Sequence, residues 1–270
     1  MRIALLLLIL GSSPVWSGII EHQERCVVPA MGKTIFMYGE EHTDPFDPAA
    51  VAQRAELATS IDAIGNTYEG PISCYLECDI NVQKGLQEAP YFYTRNVADH
   101  GAYFDQWYVP LARTFGQEVG IGRMAISNFD IREYQYAHFE HHLQALADGE
   151  ITRDQIDFRA LRTWGKTIDS TIQKLFDDIQ TQYPKKMISY IERDMKRKKK
   201  QFHAMIDTQL RSTKRARYTH RALSHFYNYT DLLADFTILR KVANDPRQTI
   251  VINAGSAHTQ NLSRYFLRII

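Results

Sequence analysis

"QTIVINAGSAHT", residues 248–259, and "KTIFMYGEEHT", residues 33–43, share one outline: a short apolar run that closes on Gly, two spacers, His and Thr. Fourteen Gly and ten His in 270 residues yield about half of one G-x-x-H by chance, so a single copy carries little weight. Two copies, each closing a run of β-formers, predict two buried strands, 33–39 and 248–255. The last strand then has to return to the neighbourhood of the first.

The intervening sequence supports this. "DPFDPAAVAQRAELATSIDAIG" (44–65) reads as a helix with Asp47 as N-cap, Pro48 at the first helical position and Gly65 as its stop. "ISCYLECD" (72–79) is again a strand, and strand, helix, strand is the pattern of a parallel βαβ unit. "EVGIGRMAISNFD" (118–130) predicts a third strand region, followed by a helix over 131–149 that Gly149 closes. From Thr152 to Val242 the composition is helical, with breaks at Tyr183-Pro184 and around Tyr218; after the last strand come a turn and a helix through 259–270. No repeat or low-complexity linker divides the chain. These features predict a single α/β domain over 18–270, with a parallel-type central sheet built from both ends of the chain and a large helical insertion at about 132–245.

A net charge of +1, with 44% hydrophobic and 23% charged residues, describes a globular protein without a general field for nucleic acid, so any basic partner site has to be local. "IALLLLIL" (3–10) after Arg2, followed by small residues near Ser17 and Gly18, predicts a signal peptide over 1–17 and a secreted or periplasmic, cell-envelope location. That run is too short to span a bilayer, so no membrane span is expected in the mature chain. Three cysteines, Cys26, Cys74 and Cys78, leave at least one thiol outside any intrachain disulfide. Cys74 and Cys78, four residues apart on one strand, sit roughly 13 Å from each other and cannot bond readily. Asn228-Tyr-Thr and Asn261-Leu-Ser are sequons, relevant to eukaryotic secretion.

In an open parallel sheet, ligands bind beyond the carboxyl ends of the strands. Here those ends carry Gly39, Glu40, Glu41 and His42 on the first strand, Glu77 and Asp79 on the second, Asp130 and Arg132 on the third, and Gly255 and His258 on the last. Each Gly is expected to permit a tight turn, with Thr43 and Thr259 supporting it through hydroxyl bonds. Asp130 also reads as the N-cap of the following helix. His138, His141 and His142 have helical spacing that suits a metal, yet lack an acidic partner at matching spacing and read as a solvated face. "KRKKK" (196–200) reads as a basic helix surface rather than a nucleic-acid contact. Asp235 and Arg240 either face the site or form a surface pair, and the aromatic segment from Tyr91 to Tyr108 either lines a pocket or belongs to the core.

"YGEEHTD", "YLECD" and "INAGSAHT", in that order, resemble the two G-x-x-H motifs and intervening strand-terminal Glu of the TraB/Tiki-like superfamily, which includes erythromycin-esterase-like and ChaN-like branches. "FDIRE" (129–133) is similar to a further D-x-R strand end in divergent members. The resemblance covers 33–80 and 248–262 and implies an α/β core with a helical insertion. It also implies a site at Gly39, Glu40, His42, Glu77, Gly255 and His258. Tiki-type members are metal-dependent peptidases, esterase-like members hydrolyse an ester through a His-activated water, and ChaN-like members bind haem.

The expected function is therefore a hydrolase that attacks an ester or amide carbonyl of a small-molecule or peptide substrate with activated water. In the metal form, His42, Glu77 and His258 hold a divalent ion such as Mn, Co or Zn, with Glu40 as the alternative carboxylate. In the metal-free form, His42 is the base, Glu77 or Glu40 orients it, and His258 or Arg132 stabilises the oxyanion. The alternatives are a haem or small-ligand binding protein and a catalytically inactive secreted effector. No G-x-S-x-G nucleophile motif is present.

Overall fold

The computed structural model describes residues 20–40, 60, 63–76, 119–121, 124–129, 157–209 and 216–268. The predicted signal peptide, the start of the first helix with Asp47 and Pro48, the aromatic segment, the helix over 131–149 with its three His, and Cys78 lie outside the described residues.

Among the described residues the strands are β1 (Ile20–Val28), β2 (Lys33–Glu40), β3 (Ile72–Leu76), β4 (Val119–Ile121), β5 (Met124–Asn128) and β6 (Thr249–Gly255). They form one sheet in the order β1-β2-β6-β3-β5-β4. The four central strands pair in parallel, whereas β1 and β4 add antiparallel edges. The protein thus belongs to the α/β class with a mixed, mostly parallel sheet. The predicted return of the last strand to the first is direct: β6 pairs with β2 on one side and β3 on the other. Ile250, Val251, Ile252 and Ala254 are all buried, as a strand covered on both faces requires.

Several sequence expectations are corrected. β1 is absent from the sequence reading because "HQER" dilutes its pattern, but Cys26 and Val28 face inward while Arg25 and Val27 are exposed, the period-2 alternation of a half-covered edge. A Pro29–Met31 turn joins β1 to β2, and Gly32 closes it at φ 63°, a left-handed position that favours Gly. Gly65 does not stop its helix, which continues through Thr67, where the hydroxyl bonds back to the Ala63 carbonyl at 2.7 Å. The third strand region is two strands, β4 and β5, paired antiparallel. Cys26 and Cys74 are both buried and not joined in a disulfide; burial, aided by Glu24, pushes the Cys26 thiol up to about 11.

Between β5 and β6 lie α1 (Phe158–Ile179), α2 (Lys185–Ala204) and α3 (Ala216–Asn244). Asp157 caps α1 by accepting from the Arg159 and Ala160 amides, both at 2.9 Å. The Tyr183-Pro184 break is where expected, with Pro184 as N-cap of α2 and the Tyr183 hydroxyl donating to the Leu239 carbonyl at 2.7 Å. The second break lies earlier than Tyr218: α2 passes into a π-helical turn over Met205–Gln209, and Tyr218 is already inside α3. On α3 every residue from 232 to 239 is buried, so this helix is enclosed by α1, α2 and α4 (Ser256–Phe266).

"KRKKK" is not one basic surface. Lys196 pairs with Glu192 at 2.6 Å and Lys199 with Asp169 at 3.0 Å, while Lys198 is buried 3.3 Å from Asp194. Burial alone would raise the Asp194 carboxyl, but Lys198, Arg197 and Tyr265 outweigh it and hold it below its ordinary value. The ionised form therefore contributes stability that is fully present above pH 3.8 and is lost as pH falls through the lower folded value. Asp194→Asn is expected to flatten the pH dependence of the urea midpoint below pH 3.8 relative to the parent.

In the link that precedes β6, Asp245 accepts from the Tyr75 hydroxyl at 2.5 Å and the Arg247 amide at 2.9 Å, while Lys33 donates to the Asp245 and Arg247 carbonyls. Asp245→Ala removes the acceptor of the buried Tyr75 hydroxyl and of the Arg247 amide, whereas the Lys33 bonds go to main-chain carbonyls and remain; urea unfolding is expected to show a loss of about 2–3 kcal/mol with an unchanged m-value.

Candidate functional site

The carboxyl ends of the parallel strands meet along one edge. Gly39 lies opposite Ala254, Glu40 opposite Gly255, and Leu76 opposite both Asn253 and Asn128. The two G-x-x-H glycines are thus one register step apart on neighbouring strands. Neither has the positive φ expected of a tight turn: Gly39 is buried within β2, and Gly255 is the N-cap of α4 at φ −53° and ψ 146°, open to any residue. The expected turn after β6 is also absent, because α4 begins at Ser256 directly. Thr259 makes the anticipated local bond, its hydroxyl donating to the Ser256 carbonyl at 3.1 Å.

His258 occupies the third position of α4 and is buried. Its Nδ1 lies 2.7 Å from Asp235 Oδ1, and its Nε2 lies 3.7 Å from Asp231 Oδ1. Asp235 is fully buried, and its second oxygen accepts from the Asn261 amide at 3.0 Å. A carboxylate oxygen accepts, so Nδ1–H donates to Asp235 Oδ1, and Nε2 is the ring nitrogen turned toward Asp231. Desolvation by burial is the main cause that raises the Tyr265 phenol well above its usual range, and the charge of Asp235 adds to it.

Of the predicted site residues, the structure describes His258 fully and Glu40 through its backbone. His42, Glu77, Asp130 and Arg132 lie outside the described residues, as does the Glu40 side chain. Asp235 faces the site and does not pair with Arg240, whose guanidinium instead meets Asp178 at 3.0 Å. Asp231 and Asn261 were not anticipated as partners. The usable signal was "DLLADFTIL" (231–239): two carboxylates one helical turn apart, the second within an otherwise apolar stretch that lacks a solvent face. Asn261, also a sequon, has its amide committed to Asp235.

A second His–carboxylate contact, His203 Nε2 to Asp169 at 2.8 Å, lies in the helical block. There Asp169 also accepts from Tyr229 at 2.6 Å and pairs with Lys199 at 3.0 Å, so it ties α1, α2 and α3 together. Among the described residues no three His, Cys, Asp or Glu side chains form a group that could hold a metal ion, and no helix is long and apolar enough to cross a membrane.

Comparison with known protein families, curated proteins and solved structures found no match for the chain.

Asp235→Ala leaves the buried His258 and half-buried Asn261 donors without their acceptor, and a loss of about 3–5 kcal/mol is expected in urea unfolding. Nitrogen-resolved NMR of the parent is expected to place the His258 proton on Nδ1 at neutral pH; a proton on Nε2 would contradict the assigned tautomer.

Proposed function

We propose that the protein is a hydrolase in which His258 activates water for attack on an ester or amide carbonyl. The observation that carries this reading is the buried Asp235–His258 pair, 2.7 Å apart, at the carboxyl edge of a mostly parallel sheet. Asp235 fixes the ring and its tautomer and stabilises the imidazolium that forms. Nε2 takes the proton from water as the hydroxide oxygen bonds to the carbonyl carbon; the same proton then passes to the leaving alkoxide or amine as the tetrahedral intermediate collapses. The sequence expectation for the metal-free form made His42 the base; His42 lies outside the described residues, and at the carboxyl edge of the sheet it is His258 that is described with an orienting carboxylate. The resemblance to the TraB/Tiki-like superfamily, the helical block between β5 and β6 read as an insertion, and export through residues 1–17 belong to the same reading.

A metal-assisted form is the second reading, favoured by the 3.7 Å approach of Asp231 to Nε2. A histidine that binds a metal through one ring nitrogen ordinarily donates its other ring N–H to a carboxylate, as Nδ1 does to Asp235. His258 and Asp231 suit Zn, Mn or Co as two donors, and His42 and Glu77 are the residues expected to complete the set. Such an ion would lower the pKa of its bound water.

His258→Asn discriminates well, because its amide reaches the position of Nδ1 and can still donate to Asp235 while the base is lost. On a panel of chromogenic esters and fluorogenic peptides, hydrolysis is expected to fall by about 10²–10⁴ with thermal stability retained. Activity unchanged in this variant would refute His258 as the base. Elemental analysis before and after chelation separates the two forms: stoichiometric metal whose removal abolishes activity selects the metal-assisted one.

A further inference from the structure

We propose that the groove between α2 and the C-terminal half of α4 binds a small ligand carrying two or more phosphate groups. The groove has a volume of about 680 Å³, within the roughly 300–1,000 Å³ typical of small-molecule sites. Along one wall α2 supplies Lys186, Arg193 and Arg197, and the facing wall supplies Arg264 and Arg268. One carboxylate, Asp194, lies among these five cations, and it is already engaged by Arg197 at 2.5 Å, Tyr265 at 3.1 Å and Lys198 at 3.3 Å. Among the described residues no carboxylate pairs with Lys186, Arg193, Arg264 or Arg268. In a chain whose net charge is +1, this is a strong local concentration of positive charge, and like charges gathered in a concave site raise the local concentration of anions.

The helix geometry points the same way. Residues 186, 190, 193 and 197 recur at helical spacing on the face of α2 that lines the groove, over about 16 Å. The first turn of α2 contains Lys185 and Lys186, no acidic residue and no side-chain cap. A helix N-terminus ordinarily favours Asp or Glu, so basic residues there run against the dipole unless an anion joins them. Such breaks of a local rule occur at functional sites. Guanidinium forks match phosphate oxygens two at a time, so an arginine-rich wall fits phosphate better than an isolated carboxylate. Arg268 already covers the Tyr190 ring at 4.6 Å, which argues against base stacking and for recognition of the phosphates themselves.

The experiment is calorimetric titration of the full chain with orthophosphate, pyrophosphate and tripolyphosphate at low salt, with parallel sedimentation against phosphatidylcholine vesicles with and without a phosphoinositide bisphosphate. Arg193 and Arg264 are exposed, so Arg193→Ala/Arg264→Ala is expected to keep the parent melting temperature. Affinity is expected to rise from orthophosphate to tripolyphosphate, to weaken with salt, and to fall at least tenfold in the double variant. Binding of tripolyphosphate assigns a soluble ligand, and binding of phosphoinositide vesicles alone assigns a lipid headgroup. No binding by either probe at millimolar concentration, or equal binding by parent and double variant, would overturn the proposal.

Discussion

The constraint on which most of the structure depends is the burial of Asp235. A carboxylate in the middle of an all-round buried helix is tolerated only when its oxygens are hydrogen-bonded. Both partners, His258 and Asn261, come from α4, one turn apart on the same helix. α4 in turn begins at the last residue of β6, so satisfying one side chain on α3 fixes the rotation of α4 and the position at which β6 must end. The requirement that orders the core thereby also orders the imidazole at the sheet edge. The groups that support this imidazole and the groups that satisfy the buried carboxylate are the same.

The position of β6 is the second consequence. The strand enters between β2 and β3, which the chain has already traversed, and it pairs in parallel with both. Its pairing with β2 spans more than two hundred residues, a high cost in loop closure that local propensity alone would not repay. What repays it is the apolar run 250–252, buried on both faces, and the helix pair that arrives with it. Lys33 and Asp245 hold the entry to this arrangement, because Lys33 at the start of β2 bonds the carbonyls that immediately precede β6. The His258–Asp235 contact holds the exit.

The sheet's parallel core was legible because both ends of the chain carry β-branched runs of strand length that stop at Gly, and the two G-x-x-H outlines tied those runs to each other. β1 was not legible, because an edge strand with one solvated face contains as many polar as apolar residues. The β4–β5 hairpin was not legible either, because a three-residue strand and a five-residue strand with Gly between them look like one longer strand. At the candidate site the motif places His258 beside the end of β6, but its glycines lack the φ of a tight turn: spacing marks where a strand ends and does not fix its φ. Asp235 is visible as a charge amid apolar neighbours, and of its two readings, facing the strand-end site or pairing with Arg240, the fold holds the first. Only the tertiary fold shows that the nearer ligand in space was 23 residues away in sequence.

Charge distribution shows the same dependence on packing. Five consecutive basic residues on α2 suggested one surface, yet a helix places neighbours about 100° apart, so the run divides. Lys198 turns into the protein toward Asp194, Lys199 reaches Asp169, Lys196 stays on its own helix with Glu192, and only Arg197 joins the groove. The remaining groove cations come from positions scattered over eighty residues, which no linear run reveals. Tyr265 stands between this groove and the buried pair: its hydroxyl donates to Asp194, and the charge of Asp235 adds to the burial that keeps it protonated. One helix, α4, thus carries the buried His258 imidazole near its start and Arg264, on the groove wall, near its end.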